Sequence, residues 1–161
     1  MNLSDVLSPE KIRLRVAVPD KPALLDYLVD IVDHSGDLFD RDAVRRAVRE
    51  REERLSTGIG HGIALPHAKT DAVRTTTAAV VTCAQPIDYD ALDGKPVDIA
   101  ILILGRTADV RSHLQLLGKL SRLISTDSQR EAFRQALLDA SSPEQVYAFF
   151  CQLNENFYGT Q

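Results

Sequence analysis

The sequence predicts a single α/β domain in which a mixed β-sheet is flanked by helices on both faces. Three observations lead there. "KIRLRVAV" (11–18) sets Ile12, Leu14, Val16 and Val18 against Lys11, Arg13 and Arg15, the period-two alternation of a half-buried strand. "VDIAILILG" (97–105) is apolar almost throughout after Asp98, which suits a central strand covered on both faces. Capped helical stripes lie between and after these strands and supply that cover.

The elements follow in order. Asp20 can cap a helix with Pro22 tolerated in its first turn. Leu24, Leu25, Leu28, Ile31 and Val32 form its stripe, and Gly36 marks its end. Asp40 caps a second helix, "DRDAVRRAVREREERL", with Ala43, Val44, Ala47, Val48 and Leu55 as its apolar face. The glycine-rich run that follows forbids further helix and holds one short strand, "GIAL". "TTTAAVVTCA" (75–84) is β-branched and reads as a strand. "QPIDYDALDGKP" carries the turn signals Pro86, Asp93-Gly94 and Pro96. After the strand at 97–105, helices are expected over about 109–124 and about 127–138, the latter capped by Asp127 or Ser128. A last helix starts at Ser142-Pro143-Glu144 and runs to about Leu153. The domain spans 1–161, with a core over about 4–153 and a frayed tail, "NENFYGTQ".

Composition narrows the function classes. The chain has 161 residues, 44% hydrophobic and 26% charged, as in ordinary globular domains. A net charge of -4 argues against a dedicated nucleic-acid binder. No apolar run reaches the length of a membrane span, so no membrane insertion is expected. "MNLSDVLSPEKIRLRV" lacks the apolar run of a signal peptide, and a cytoplasmic location is the expectation. Cys83 and Cys151 form no CxxC pair, sit in apolar contexts, and read as buried free thiols.

Three features are out of place. Arg51 lies seven residues after Val44, three after Val48 and four before Leu55, which puts an arginine on the apolar face of its helix. Buried guanidinium needs an anionic partner, either a nearby carboxylate or an anionic ligand. His113 continues the stripe Leu116, Leu117, Leu120 and Ile124, either as a core histidine or as a site residue. "STGIGHGIALPH" (56–67) packs three glycines, two hydroxyls and two histidines into twelve residues with no acid. It is no Walker A loop, since GxxxxGK followed by Ser or Thr is absent. It is no dinucleotide fingerprint either, since Gly58 and Gly60 would need glycine where Ile63 stands. A plain glycine-rich turn is one reading. Zinc on His61, His67 and His113 is another, but HExxH, HxH and paired cysteines are all missing.

Taken together the three features fit phosphoryl chemistry. Free imidazole is well populated near its pKa of ~6.5 and can attack phosphorus. Phosphoryl transfer mainly needs positioning and neutralisation of the equatorial oxygens. Glycine amides, the Ser56 and Thr57 hydroxyls, Arg51 and a second histidine supply such surroundings. A histidine-to-histidine transfer needs no nucleotide, and no metal or other cofactor is expected.

"REREERLSTGIGHGIALPHAK" resembles the signature of the enzyme IIA domain of the bacterial phosphotransferase system, fructose/mannitol type, and of its stand-alone nitrogen-regulatory relatives. "IDYDALDGKPVDIAILIL" and "HLQLLGKLSRLI" resemble later family segments, so the likeness covers about residues 4 to 150. The resemblance implies roles. His67 matches the histidine that carries the phosphoryl group, Arg51 an arginine beside it, and His113 the second active-site histidine. Ser56 and Thr57 match a phosphate-binding hydroxyl pair; the role of His61 stays open. The implied activity is that of a phosphotransferase working through a phosphohistidine. The implied donor is HPr or its nitrogen-related paralogue. Leu55 stands where the family often has glycine, and "GRTADVR" follows the long strand where prolines are common.

Two destinations for the phosphoryl group are open. A regulatory IIA protein signals to target proteins through its phosphorylation state. A transporter IIA subunit passes the group to a IIB component. The chain shows no IIB, IIC or HPr segment, which favours the regulatory role as the expectation. A binding module that senses a small anion without covalent chemistry is the third reading. Oligomeric state is not legible.

Overall fold

The computed structural model describes residues 1–153. In chain order the elements are α1 (Leu3–Val6), β1 (Ile12–Val16), α2 (Lys21–His34), α3 (Arg41–Arg54), β2 (Gly58–Gly60), β3 (Ile63–Ala64), β4 (His67–Lys69), β5 (Thr77–Ile87), β6 (Val97–Gly105), α4 (Val110–Leu123), α5 (Asp127–Leu138) and α6 (Pro143–Leu153). The tail expected to fray, 154–161, lies outside the described residues.

The strands form one sheet in the order β1-β5-β6-β3-β2, with β4 also on β6. β1 pairs parallel with β5, and β3 and β4 pair parallel with β6; β5–β6 and β2–β3 are antiparallel. The mixed sheet expected from the sequence is therefore present. Its core strand explains its own composition. Ala100, Leu102 and Leu104 of β6 pack toward α2 and α3, while Ile99, Ile101 and Ile103 pack toward α1, α4, α5 and α6. All six are fully buried, so no position from 99 to 104 tolerates a polar side chain. Among the described residues no helix is long and apolar enough to cross a membrane.

The caps act largely as expected. Asp20 accepts the Ala23 amide at 3.0 Å and Asp40 the Ala43 amide at 3.1 Å. Ser142 accepts the Gln145 amide at 3.3 Å at the start of α6. The cap of α5 is Thr126, whose hydroxyl accepts the Gln129 amide at 3.2 Å, one residue before the expected Asp127 or Ser128. Cys83 is buried as expected; Cys151 is only partly so.

Three local expectations are corrected. β5 does not stop at 84 but runs through Pro86 to Ile87. Its register on β6 shifts between Thr82 and Ile87, and Pro86 is exposed there, where the ladder asks no donor of it. On α3 the buried residues are Val44, Val48 and Glu52, at steps of four, not Arg51 and Leu55. Helix α3 ends at Arg54, so Leu55 has extended backbone and is 59% exposed, and Arg51 is half-buried. The glycine-rich run is no simple turn with one strand: it forms the hairpin β2–β3 and then β4.

That hairpin turns on His61 and Gly62, both with positive φ (58° and 78°). Arg134 pins it, donating to the His61 carbonyl and bidentately to Asp98, all at 2.8 Å. A Cβ at position 62 would lie 2.6 Å from the Arg134 guanidinium and displace it from Asp98, and the positive φ there also favours glycine. β3 and β4 are two pieces of one parallel edge on β6, parted by Leu65-Pro66.

Candidate active site

His67 opens β4 opposite Ile103 of β6. Its neighbour Ala68 is buried in the core beneath α2 and α3. Strand alternation therefore sends His67 and Lys69 to the opposite face, the face covered by α4. His113 waits there in the first turn of α4, 4% exposed. The two imidazole rings stand 5.5 Å apart between centroids, tilted by 55°. Gly105, the last residue of β6, makes room for this: a Cβ there would lie 3.2 Å from His113 Nδ1.

The tautomer of His67 follows from its partner. His67 Nδ1 lies 2.8 Å from the Leu65 carbonyl oxygen, which can only accept, so Nδ1 carries the proton. Nε2 of the neutral ring then holds the free lone pair. Burial pushes the pKa of His67 below its ordinary value; the Leu65 carbonyl and the Glu52 charge pull it back, the Arg51 charge pushes it down, and the net shift is downward. The ring is thus held as a neutral nucleophile. His113 is driven further, down to about 4, by burial and then by the charges of His67 and Lys69. Its Nδ1 is buried without a hydrogen-bond partner.

Arg51 comes from α3, in the helical layer on the other side of the sheet. Its Nη1 donates to the Leu55 carbonyl at 2.9 Å. The expectation of a buried arginine fails, but the guanidinium does reach the surroundings of His67. Ser56 is half-buried and accepts the Gly58 amide at 3.1 Å. Thr57 is different. It is 3% exposed, and its hydroxyl donates to Glu52 Oε2 at 2.6 Å and lies 3.0 Å from the Tyr89 hydroxyl. The threonine has one proton and gives it to the carboxylate, so Tyr89 is the donor of the second bond. Burial raises the Tyr89 pKa, which keeps that proton in place. The hydroxyl expected from the sequence to bind phosphate is thus engaged with Glu52 and Tyr89.

His61 sits on the exposed hairpin turn, its amide tied to Asp93 at 2.9 Å, and it does not join the two other histidines in a metal-binding group among the described residues. Sequence reading missed Glu52, Tyr89 and Lys69. The signal for Glu52 was present: it stands four after Val48 and eight after Val44, the interval of the buried stripe.

A neutral imidazole with a fixed tautomer, a second histidine beside it and an arginine within electrostatic reach is a device for accepting an electrophilic anion. Over residues 5–152 the chain matches the family described as Phosphoenolpyruvate-dependent sugar phosphotransferase system, EIIA 2. The chain belongs to this family. It is 37% identical to the PTS system fructose-specific EIIA component of Haloferax volcanii, covering 96% of this chain and 97% of that one. It is 35% identical to the PTS system fructose-specific EIIABC component of Bacillus subtilis over 91% of this chain, but spans only 22% of that protein. Among solved structures, the nitrogen regulatory protein IIA-Ntr of Neisseria meningitidis superposes with a TM-score of 0.82 at 30% identity, covering 91% of this chain and 97% of that one. The EIIA membership makes the chain a phosphotransfer component, and the fold agrees with that of the IIA domains.

Proposed function

We propose that this IIA domain is a phosphohistidine relay. It accepts a phosphoryl group on His67 from HPr or a nitrogen-type phosphocarrier and hands it on. The carrying observation is the Leu65 carbonyl on His67 Nδ1, which leaves Nε2 free to attack. The Nε2 lone pair forms the new N–P bond as the donor's N–P bond breaks, and that electron pair returns to the donor's imidazole. Positive charge developing on the His67 ring is met by the Leu65 carbonyl. Arg51 and His113 flank the transferred group and neutralise or bind its oxygens, with the Ser56 hydroxyl as a further ligand. No cofactor takes part.

The test is incubation of the chain with phosphoenolpyruvate, enzyme I and an HPr-type carrier. The expected product is a covalent label stable to base and labile to acid, as an N–P bond is. No label, with reversible anion binding instead, makes the chain the anion-sensing module and sinks the relay.

Two destinations follow the relay. The regulatory role expected from the sequence has the Neisseria superposition behind it. Delivery to a IIB component of a fructose-type transporter has the higher identity behind it, over nearly the whole Haloferax protein. Mixing the labelled chain with a fructose-type IIB domain separates them: discharge supports delivery, and retention supports the regulatory role.

Arg51 offers a graded test. Arg51→Lys keeps the charge and loses the fork that grips two oxygens. Transfer is expected to slow about 10-fold, equivalent to ~1.4 kcal/mol of transition-state stabilisation. Stopped-flow or quench measurement of label uptake reads this, and an unchanged rate in a folded variant removes Arg51 from the step.

A further inference from the structure

A buried carboxylate sits behind the loop and is used by nothing in the transfer step. Glu52 is 7% exposed. Its Oε1 accepts the Thr57 amide at 2.8 Å and faces Lys21 Nζ at 2.9 Å; its Oε2 accepts the Thr57 hydroxyl at 2.6 Å. Lys21 also lies 4.4 Å from the centre of the Tyr89 ring, whose hydroxyl completes the set on Thr57. Thr57 is thereby gripped at both its amide and its side chain. The grip continues along the backbone. The Thr57 carbonyl accepts the Leu65 amide at 2.9 Å, and the Leu65 carbonyl accepts His67 Nδ1–H at 2.8 Å.

We propose that Glu52 is a positioning residue for His67: by clamping Thr57 it anchors the Leu65 residue through its amide, and the carbonyl of that residue fixes the proton on Nδ1 and leaves Nε2 bare. This rests on the relay reading for its functional meaning, though the clamp itself is independent of it. The physical case is one of cost. Burying an ion pair gains little stability over apolar packing of the same volume, because desolvation offsets the attraction. What a doubly accepting carboxylate does supply is direction. It sets both the φ/ψ and the side-chain torsion of one residue, as an apolar side chain cannot. The residue so held has its carbonyl on the Leu65 amide, and the carbonyl of that same Leu65 contacts the nucleophile. Both oxygens are engaged and both Thr57 donors are satisfied, so the clamp has a single low-energy arrangement.

The experiment uses three variants of the whole chain: Glu52→Gln, Thr57→Val and Thr57→Ser. The Gln amide can still accept the Thr57 N–H but cannot accept its hydroxyl while its NH2 faces it. Valine removes the hydroxyl at nearly constant volume. Serine keeps both bonds. The deciding readout is the ¹⁵N spectrum of His67, which reports the tautomer with no phosphocarrier present. Wild type and Thr57→Ser are expected to show the Nδ1–H form. Glu52→Gln and Thr57→Val are expected to shift toward Nε2–H and to take up label about 10-fold more slowly. An unchanged tautomer in folded Glu52→Gln or Thr57→Val overturns the proposal, even if both melt earlier. So does a wild-type ring protonated on Nε2. If wild type takes no label, the relay reading falls, and the tautomer alone still decides the clamp. Should Glu52→Gln fail to fold, Thr57→Val against Thr57→Ser carries the comparison.

Discussion

A His67→Ala chain, given phosphoenolpyruvate, enzyme I and an HPr-type carrier, takes up no phosphoryl group. This is the largest effect expected of any single substitution. His67 is the imidazole whose free nitrogen is dictated by its partner, because the Leu65 carbonyl claims Nδ1. The neighbouring His113 cannot stand in. Its ring is buried to 4% exposure and its pKa is pushed down to about 4, so it is a weak base shut away from a docking carrier. The Ser56 hydroxyl donates to the Tyr89 carbonyl and accepts the Gly58 amide, and neither partner is a general base that could activate it. Removing the ring leaves β4 paired to β6 through its backbone, so the variant is expected to melt as a folded protein. Undiminished label, or label found on serine or on His113, refutes the assignment.

His113→Gln is expected to do two separable things. Loss of a preorganised partner beside the transferred group slows transfer by about 10²-fold. The helix survives, since glutamine is a good helix former. The second effect is on stability against pH. His113 has a folded pKa of about 4 against an ordinary 6.5. Between these values the unfolded chain binds the proton and the folded chain does not, so stability falls as pH falls through this window. By pH 5 the loss from this one group is on the order of 2 kcal/mol. His67, also lowered, adds to it with the same sign. Asp37, held low despite its burial by hydrogen bonds from Thr77 and Ser35, acts only under more acid conditions. Urea midpoints at pH 7.5 and pH 5 are expected to separate clearly for wild type and less for His113→Gln. Parallel shifts in the two proteins, with an equal transfer rate, return His113 to the role of a core residue.

The parts that sequence revealed are those where one physical rule acted alone. Strand 97–105 reads correctly because burial on both faces leaves no room for alternation, and β6 is covered on both faces. Asp20 and Asp40 read correctly because each cap needs only its own helix. His67, His113 and Arg51 stood out as residues in the wrong surroundings, and the structure brings the two histidines together with Arg51 in electrostatic reach. What stayed hidden depended on distant partners. β2, β3 and β4 have two or three residues each, too few for a period; β3 and β4 exist because β6 offers an edge, and β2 because β3 extends it. Pro86 reads as a break unless one knows that the ladder slips there. The choice between Arg51 and Glu52 as the buried charge was settled by a lysine thirty-one positions before Glu52 and a threonine five after it.

His113, beside His67, and Arg51, within its electrostatic reach, belong to opposite layers of the molecule. Arg51 arrives from the α2–α3 side and His113 from the side of α4, α5 and α6. They meet only when both helical layers are seated on the same sheet. A chain with one layer detached still possesses His67 but presents it without its surroundings. On the proposed relay, the rate of labelling is therefore a report on complete folding, read at a single atom. On that same proposal, a phosphocarrier discharges fastest into the finished site, and half-assembled copies of the chain lag behind it.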